Sequence, residues 1–227
     1  MNKVIKKISR VLEYVLLRFK VRCFREFNKK VLLDHFDLGI LEINKKKIEP
    51  YYTQYVKHVS SPEMAASLEL AGSIYTICRT NQYTKLLDMG SGLSSFILRL
   101  YAQETAGVKV YSVDDDAAWL EKTMHYLKEQ GLETENMYTL EEFIKLEECG
   151  FDCILHDLNF VEVRINYVEL VINAAKQNGL IIMDDVHKPD YQYALLKKLD
   201  GMPVHKFNLK AITLDIYGRY ASAVLKK

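Results

Sequence analysis

Five aspartates and one histidine follow directly on apolar runs. Asp88 follows KLL, Asp114 follows VYSV and Asp157 follows FDCILH, while Asp184 and Asp185 follow LIIM, with His187 two residues further on. Any one of these aspartates is explained by a turn or a helix cap. Four such sites in register are not, because ligands of open α/β sheets bind outside the carboxyl ends of the strands. Carboxylates at those ends can accept hydrogen bonds from ligand hydroxyls. A histidine beside two of them, with an ordinary pKa of about 6.5, can take a proton from a hydroxyl at neutral pH; Lys188 is the alternative base and His156 is expected in the core. The first aspartate lies within Lys85 to Leu98, KLLDMGSGLSSFIL, in which Gly90, Gly92 and Ser94 make a tight turn between an apolar strand and a helix. Glycines let the main chain approach a ligand, and the next helix points free N–H groups at it. Asp114 comes 22 residues after Gly92, the spacing at which an acidic residue accepts from a ribose hydroxyl pair. A nucleoside-binding α/β domain is the expectation.

The elements that position these residues follow from periodicity. Strands are predicted over 85–87, 109–113, 151–156 and 180–183, with a short one within 136–146. Helices are predicted over 94–102, 117–131 with a C-cap at Gly131, 161–177 and 191–199. The tail offers strands at 204–209, 212–216 and 220–225, with Gly218 turning the last two into a hairpin. Strands alternating with helices imply a Rossmann-like, doubly wound, mainly parallel sheet, and the tail adds an antiparallel C-terminal edge strand. A helix is expected to begin at Ser60 to Glu63, a capping box with Pro62 in its first turn, and to run through Ile77, stopping before Asn81. Residues 37–60 show little periodicity and read as a linker, carrying Tyr51, Tyr52 and Tyr55, that is expected to fold over the site or to be a solvated loop with the tyrosines packed beneath.

The N-terminal part is a different physical object. The 227 residues carry a net charge of +1 and are 49% hydrophobic, enough for one buried core with an appendage. That charge is uneven: residues 1–47 hold 13 Lys or Arg against 5 Asp or Glu, and the remainder 18 against 25. Residues 3–33 read as one or two helices whose apolar stripe includes Val4, Ile8, Val11, Val15 and Phe19, opposite Lys and Arg. We divide the chain at residues 1–59, a basic amphipathic helical extension and linker, and 60–227, the nucleoside-binding domain. The extension is expected to pack on that domain or on a second subunit, as in a homodimer, or to lie on an anionic membrane surface through residues 1–30. Charged residues interrupt any membrane span, and an acidic body without a recognisable motif argues against nucleic acid. Cys23, Cys78, Cys149 and Cys153 lack paired spacing and no secretory signal precedes them, so they read as buried reduced thiols of a cytoplasmic protein, with membrane contact peripheral if present.

LLDMGSG, YSVDDDAAWLEKT, FDCILHD and GLIIMDDVH, in this order, resemble the motifs of class I S-adenosylmethionine (SAM) methyltransferases over roughly residues 60–227. The resemblance implies SAM as cofactor, held by Asp88, Gly90, Gly92, Ser94 and Asp114. Asp157, Asp184 and Asp185 resemble the Mg²⁺-binding set of the divalent-cation-dependent O-methyltransferases of catechol type, where a bound cation lowers the acceptor's pKa. Those enzymes place a general-base Lys three residues after the first metal Asp; here that residue is Phe160, which shifts the base to His187 and argues against catechol. The Asp-Asp-x-His end also resembles sugar O-methyltransferases. The expected activity is methyl transfer to a hydroxyl of a small molecule or glycan, with Asp157 and His187 as catalytic residues. The alternatives are a metal-independent N- or O-methyltransferase of the same fold, or a SAM-fold binding or scaffold protein without catalysis.

Overall fold

A computed structural model of the chain describes residues 3–23 and 36–227, with side chains over 8–20 and 36–227. The apolar runs become β1 (Lys85–Met89), β2 (Lys109–Asp114), β3 (Met137–Thr139), β4 (Phe151–His156), β5 (Ala175–Met183), β6 (Val204–Asn208) and β7 (Ser222–Lys226). They form one seven-stranded sheet in the order β3-β2-β1-β4-β5-β7-β6. β1 to β5 are parallel, while β7 runs antiparallel to both β5 and the edge strand β6. The mainly parallel, doubly wound sheet with an antiparallel C-terminal end is the expected fold class. The order turns back at β1, so the chain from β1 to β3 fills one half of the sheet and β4 onward the other, and their carboxyl ends open a crevice at the junction.

Successive strand residues point to opposite faces and bury two cores. On one face Leu86, Val110, Leu155 and Ile182 pack beneath α2 (Leu38–His58), α3 (Leu68–Asn81), α4 (Leu93–Glu104) and α5 (Ala117–Glu129). On the other, Leu87, Met89, Val113, Ile154 and Ile181 pack beneath α6 (Leu140–Leu146), α7 (Val161–Asn166), α8 (Val168–Ala174) and α9 (Pro189–Lys198). The N-terminal helix α1 (Lys3–Cys23) meets the body at α9; the rest of the expected 3–33 helical region lies outside the described residues.

Several local expectations change. The stretch read as a linker, 37–60, is the 21-residue helix α2, capped by Asp37 and buried through Leu41, Asn44, Ile48 and Tyr55. Its stripe includes a polar residue, Asn44, whose amide donates to Thr76 Oγ1 at 2.9 Å. The next helix starts at Leu68 rather than at Ser60, because Ser67 Oγ accepts from Leu70 N, and it continues through Asn81. Residues 60–65 are instead a turn clasped by Arg219, which donates to the carbonyls of Pro62, Glu63 and Ala65. The helix expected over 161–177 breaks at Tyr167 and gives way at Ala175 to β5, whose register with β4 shifts around Asn178-Gly179. Residues 212–216 form no strand: Lys210–Thr213 is the short helix α10, and Asp215 closes a turn by accepting from Tyr217 N, Arg219 N and Arg219 Nε. Cys78 and Cys153 are buried thiols, whereas Cys149 is exposed.

Candidate functional site

The turn after β1 is built on a buried carboxylate. Asp88, fully buried on the α4 side of the sheet, accepts from Ser94 Oγ at 2.9 Å and Ser95 Oγ at 2.6 Å, so the first turn of α4 is tied to the strand. Burial raises its pKa to about 7, against the two hydroxyl bonds that favour the charged form. Asp88 therefore supports the turn from below and does not line the cavity above it. Gly90 (φ +115°) continues the ladder by donating to Val113 O at 2.8 Å. A Cβ there would sit 2.1 Å from Asp157 O, so only glycine lets the ends of β1 and β4 come this close. At Gly92 (φ +153°) a Cβ would meet Tyr55 Oη at 3.1 Å.

Asp114, at the end of β2, closes the same turn. Its Oδ2 accepts from Ser91 N and Ser91 Oγ, both at 2.7 Å, and its Oδ1 accepts from Asp116 N at 2.9 Å. Each carboxylate oxygen has two acceptor positions, so Oδ1 keeps capacity for a ligand hydroxyl. Burial raises this carboxyl's pKa, with the Ser91 and Asp116 bonds opposing. Asp116 caps α5 by accepting from Ala118 N and Trp119 N. Trp119 Nε1 in turn donates to Ser91 O at 2.7 Å. A cavity of about 430 Å³ opens here, lined by Gly90 to Ser94, Asp114, Asp116 and Trp119 on one side and by Asp157, Asp184, Asp185 and His187 on the other, with Tyr55 and Ser60 at its roof. That volume and a glycine-lined cradle suit a nucleoside. Tyr55 Oη is buried there without a hydrogen-bond partner. SAM fits this half.

The opposite half is ionic, and its organiser escaped sequence reasoning. Arg164, on α7 and 5% exposed, reaches across the strand ends. Its Nη2 lies 2.6 Å from Asp157 Oδ1, its Nη1 donates to Asp185 Oδ2 at 3.3 Å, and its Nε donates to Leu158 O. Arg164 O also accepts from Nε2 of the fully buried His156 at 2.8 Å. Burial lowers the His156 pKa to about 4, so that imidazole is neutral, and the carbonyl partner fixes its proton on Nε2. His156 is thus a core residue, as expected. Asp185, at φ +60°, also accepts from Lys188 Nζ at 2.5 Å, and His187 Nδ1 lies 3.4 Å from its Oδ1. Burial alone would raise the Asp185 pKa; Lys188, Arg164 and His187 outweigh it and hold the carboxyl below its usual range. Asp184 has no such ion pair among the described residues and is raised, by burial and then by Asp185, against the Asp185 backbone N–H and the charges of Arg164 and Arg219. Asp157 is raised chiefly by burial despite Arg164. For His187 burial is the largest influence, and it lowers the pKa although Asp185 opposes it.

The three aspartates therefore do converge, but they do not fit a divalent cation. A buried guanidinium bridges Asp157 and Asp185, taking one oxygen of each and placing a fixed positive charge between the carboxylates, which disfavours a second cation there. Among the described residues no three His, Cys, Asp or Glu side chains come together to hold a metal ion. Phe160, where a catechol-type enzyme has its lysine, is 60% exposed at the N-cap of α7. The cation at this end is instead Arg164, one helical turn further along. Beyond His187 and Lys188 a second cavity of about 640 Å³ leads outward, walled by Tyr14 and Arg18 of α1 and by Tyr191, Lys210 and Tyr220.

No protein-family model matches the chain, and no curated protein matches it in sequence. Solved structures do. The O-methyltransferase TomG of Streptomyces achromogenes, solved with SAM, superposes with a TM-score of 0.64 at 14% identity over 86% of this chain and 98% of its own. An O-methyltransferase of Bacillus cereus, solved with S-adenosylhomocysteine (SAH), gives 0.58 at 15% over 84% and 92%. An SAH-bound methyltransferase of Podospora anserina gives 0.55 at 13% over 100% and 97%. The chain has the fold of the class I SAM-dependent methyltransferases, O-methyltransferases among them.

Proposed function

We propose that this protein is a SAM-dependent methyltransferase that methylates a hydroxyl of a small molecule or sugar without a divalent cation. The observation that carries the reading is one continuous cavity of about 430 Å³ with a glycine-lined side and an ionic side that holds His187, a histidine whose pKa burial lowers. Gly90 to Ser94 and Asp114 would hold the cofactor, which when bound supplies a methyl group on a sulfonium. The acceptor is expected in the outer cavity, where His187 and Lys188 border both spaces. Asp185, kept anionic, favours the His187 proton on Nδ1 and leaves the Nε2 lone pair to take the acceptor's hydroxyl proton; the methyl group would pass to the acceptor oxygen as its bond to sulfur breaks, the electron pair staying on the sulfide. Arg164 fixes Asp157 and Asp185 in place, the positional role a bound metal would otherwise have.

The test is calorimetric titration with SAH. The wild-type protein is expected to bind with the same affinity in excess Mg²⁺ and after exhaustive chelation, and Asp114→Ala to bind at least about tenfold more weakly, the loss of one or two hydrogen bonds to a charged group. Unchanged affinity in Asp114→Ala would refute the cofactor assignment, binding that needs Mg²⁺ would refute the metal-free reading, and no binding in any condition would leave a scaffold with a methyltransferase fold.

A further inference from the structure

Helix α1 carries its apolar residues on the wrong side for a core. Ile8, Val11, Leu12, Val15, Leu16 and Phe19 recur at helical spacing, as expected for a buried stripe, yet each is 55–67% exposed. The expectation that this stripe packs on the catalytic domain is overturned: the helix meets α9 from its other flank, where Leu17 is partly covered and Lys20 Nζ lies 5.8 Å above the ring of Tyr193. Apolar side chains at this density do not stay solvated without a partner. Charge decides which partner. The 21 residues of α1 hold seven Lys or Arg and one Glu. Two copies meeting stripe to stripe would bring two strongly cationic helices together, whereas an anionic lipid surface accepts the apolar face and attracts the net positive charge of the same helix. No described helix is long and apolar enough to cross a membrane, so α1 can only lie along one.

We propose that α1 docks the protein on anionic membrane surfaces, its Ile8-to-Phe19 stripe buried among the acyl chains at the headgroup boundary. Tyr14 and Arg18 of the same helix wall the outer cavity, so docking sets the acceptor entrance beside the lipid surface.

The experiment is vesicle sedimentation of the full-length protein. Vesicles of phosphatidylcholine with phosphatidylglycerol are expected to bring down the protein at least tenfold more effectively than phosphatidylcholine alone, and raised salt should reverse much of the difference. The exposed triple variant Leu12→Ser, Leu16→Ser, Phe19→Ser should lose sedimentation while its thermal midpoint stays unchanged. The proposal is overturned if the full-length protein stays in the supernatant with anionic vesicles, or if the triple variant sediments like the wild type. It is equally overturned if analytical ultracentrifugation shows a dimer that the triple variant abolishes and that does not bind vesicles, since a second copy would then cover the stripe.

Discussion

The two halves of the cavity solve the same problem, keeping carboxylates at the ends of strands, by different means. In the β1–β2 half, Asp88 and Asp114 are held by serine hydroxyls and backbone amides alone. In the β4–β5 half, Asp157 and Asp185 are held by the charges of Arg164 and Lys188. Four of these five donor bonds come from the turn itself, within seven residues of Asp88, and the fifth from Asp116 beside Asp114, so that half needs only the β1 turn and the end of β2. Charged donors come from α7 and the β5–α9 loop, and that half assembles only once the whole sheet is in place.

This contrast can be broken most severely at Arg164. Arg164→Met removes the cation that Asp157 and Asp185 share and leaves Asp157 without an ion-pair partner among the described residues, and should cost about 3–5 kcal/mol in chemical denaturation, the loss typical of a broken buried ion pair. The carboxylates so released should then bind Mn²⁺, raising the variant's thermal midpoint by several degrees and the wild type's by none. Equal response of the two proteins to Mn²⁺ would mean that Arg164 does not stand in for a metal. Gly90→Ala strikes the point where the halves touch. Its Cβ meets Asp157 O, and the positive φ is unfavourable to alanine, for a combined cost of about 3 kcal/mol and loss of SAH binding by calorimetry. The smallest effect is expected at Asp88. Its folded pKa, about 7, exceeds that of an unfolded aspartate, so its contribution to stability is fully present below about pH 4 and is lost as pH rises through 7. Asp88→Asn should therefore flatten the fall in thermal midpoint between pH 4 and 7, measured by scanning fluorimetry.

What sequence reasoning could reach follows the same division. The Asp88-to-Ser94 turn and the spacing to Asp114 are local patterns, and the structure brings these residues to one cavity, although Asp88 lies beneath it rather than in it. The convergence of Asp157, Asp184, Asp185 and His187 followed from their places at strand ends. Arg164 did not: seven residues after Asp157, on a segment read as one continuous helix, it has the appearance of a solvated helix face, and only the break at Tyr167 and the close seating of α7 turn it inward. Tyr55 does lie over the cavity, as expected of its segment, but the helix that carries it was hidden for another reason. The stripe of α2 is interrupted by Asn44, followed by three lysines and Pro50, so its periodicity disappears unless Thr76, a residue 32 positions away, is known to satisfy the asparagine. Arg219 seemed to flank a hairpin at Gly218, and instead clasps the turn that roofs the cavity. Non-local partners decided each of these cases.

Asp184 has a consequence for how the protein would report its own ligand. It lines the cavity with a pKa raised by burial and by Asp185, so part of the population carries an exchangeable proton at mildly acidic pH. A cation entering beside it favours the charged carboxylate and expels that proton to the buffer; an uncharged ligand of the same shape does not. The heat of binding measured near pH 6 in two buffers of different ionisation enthalpy should differ for SAM, a sulfonium, and coincide for SAH, a neutral sulfide. The protein would thus count the charge of what it binds, and a calorimeter would read the count before any acceptor is known.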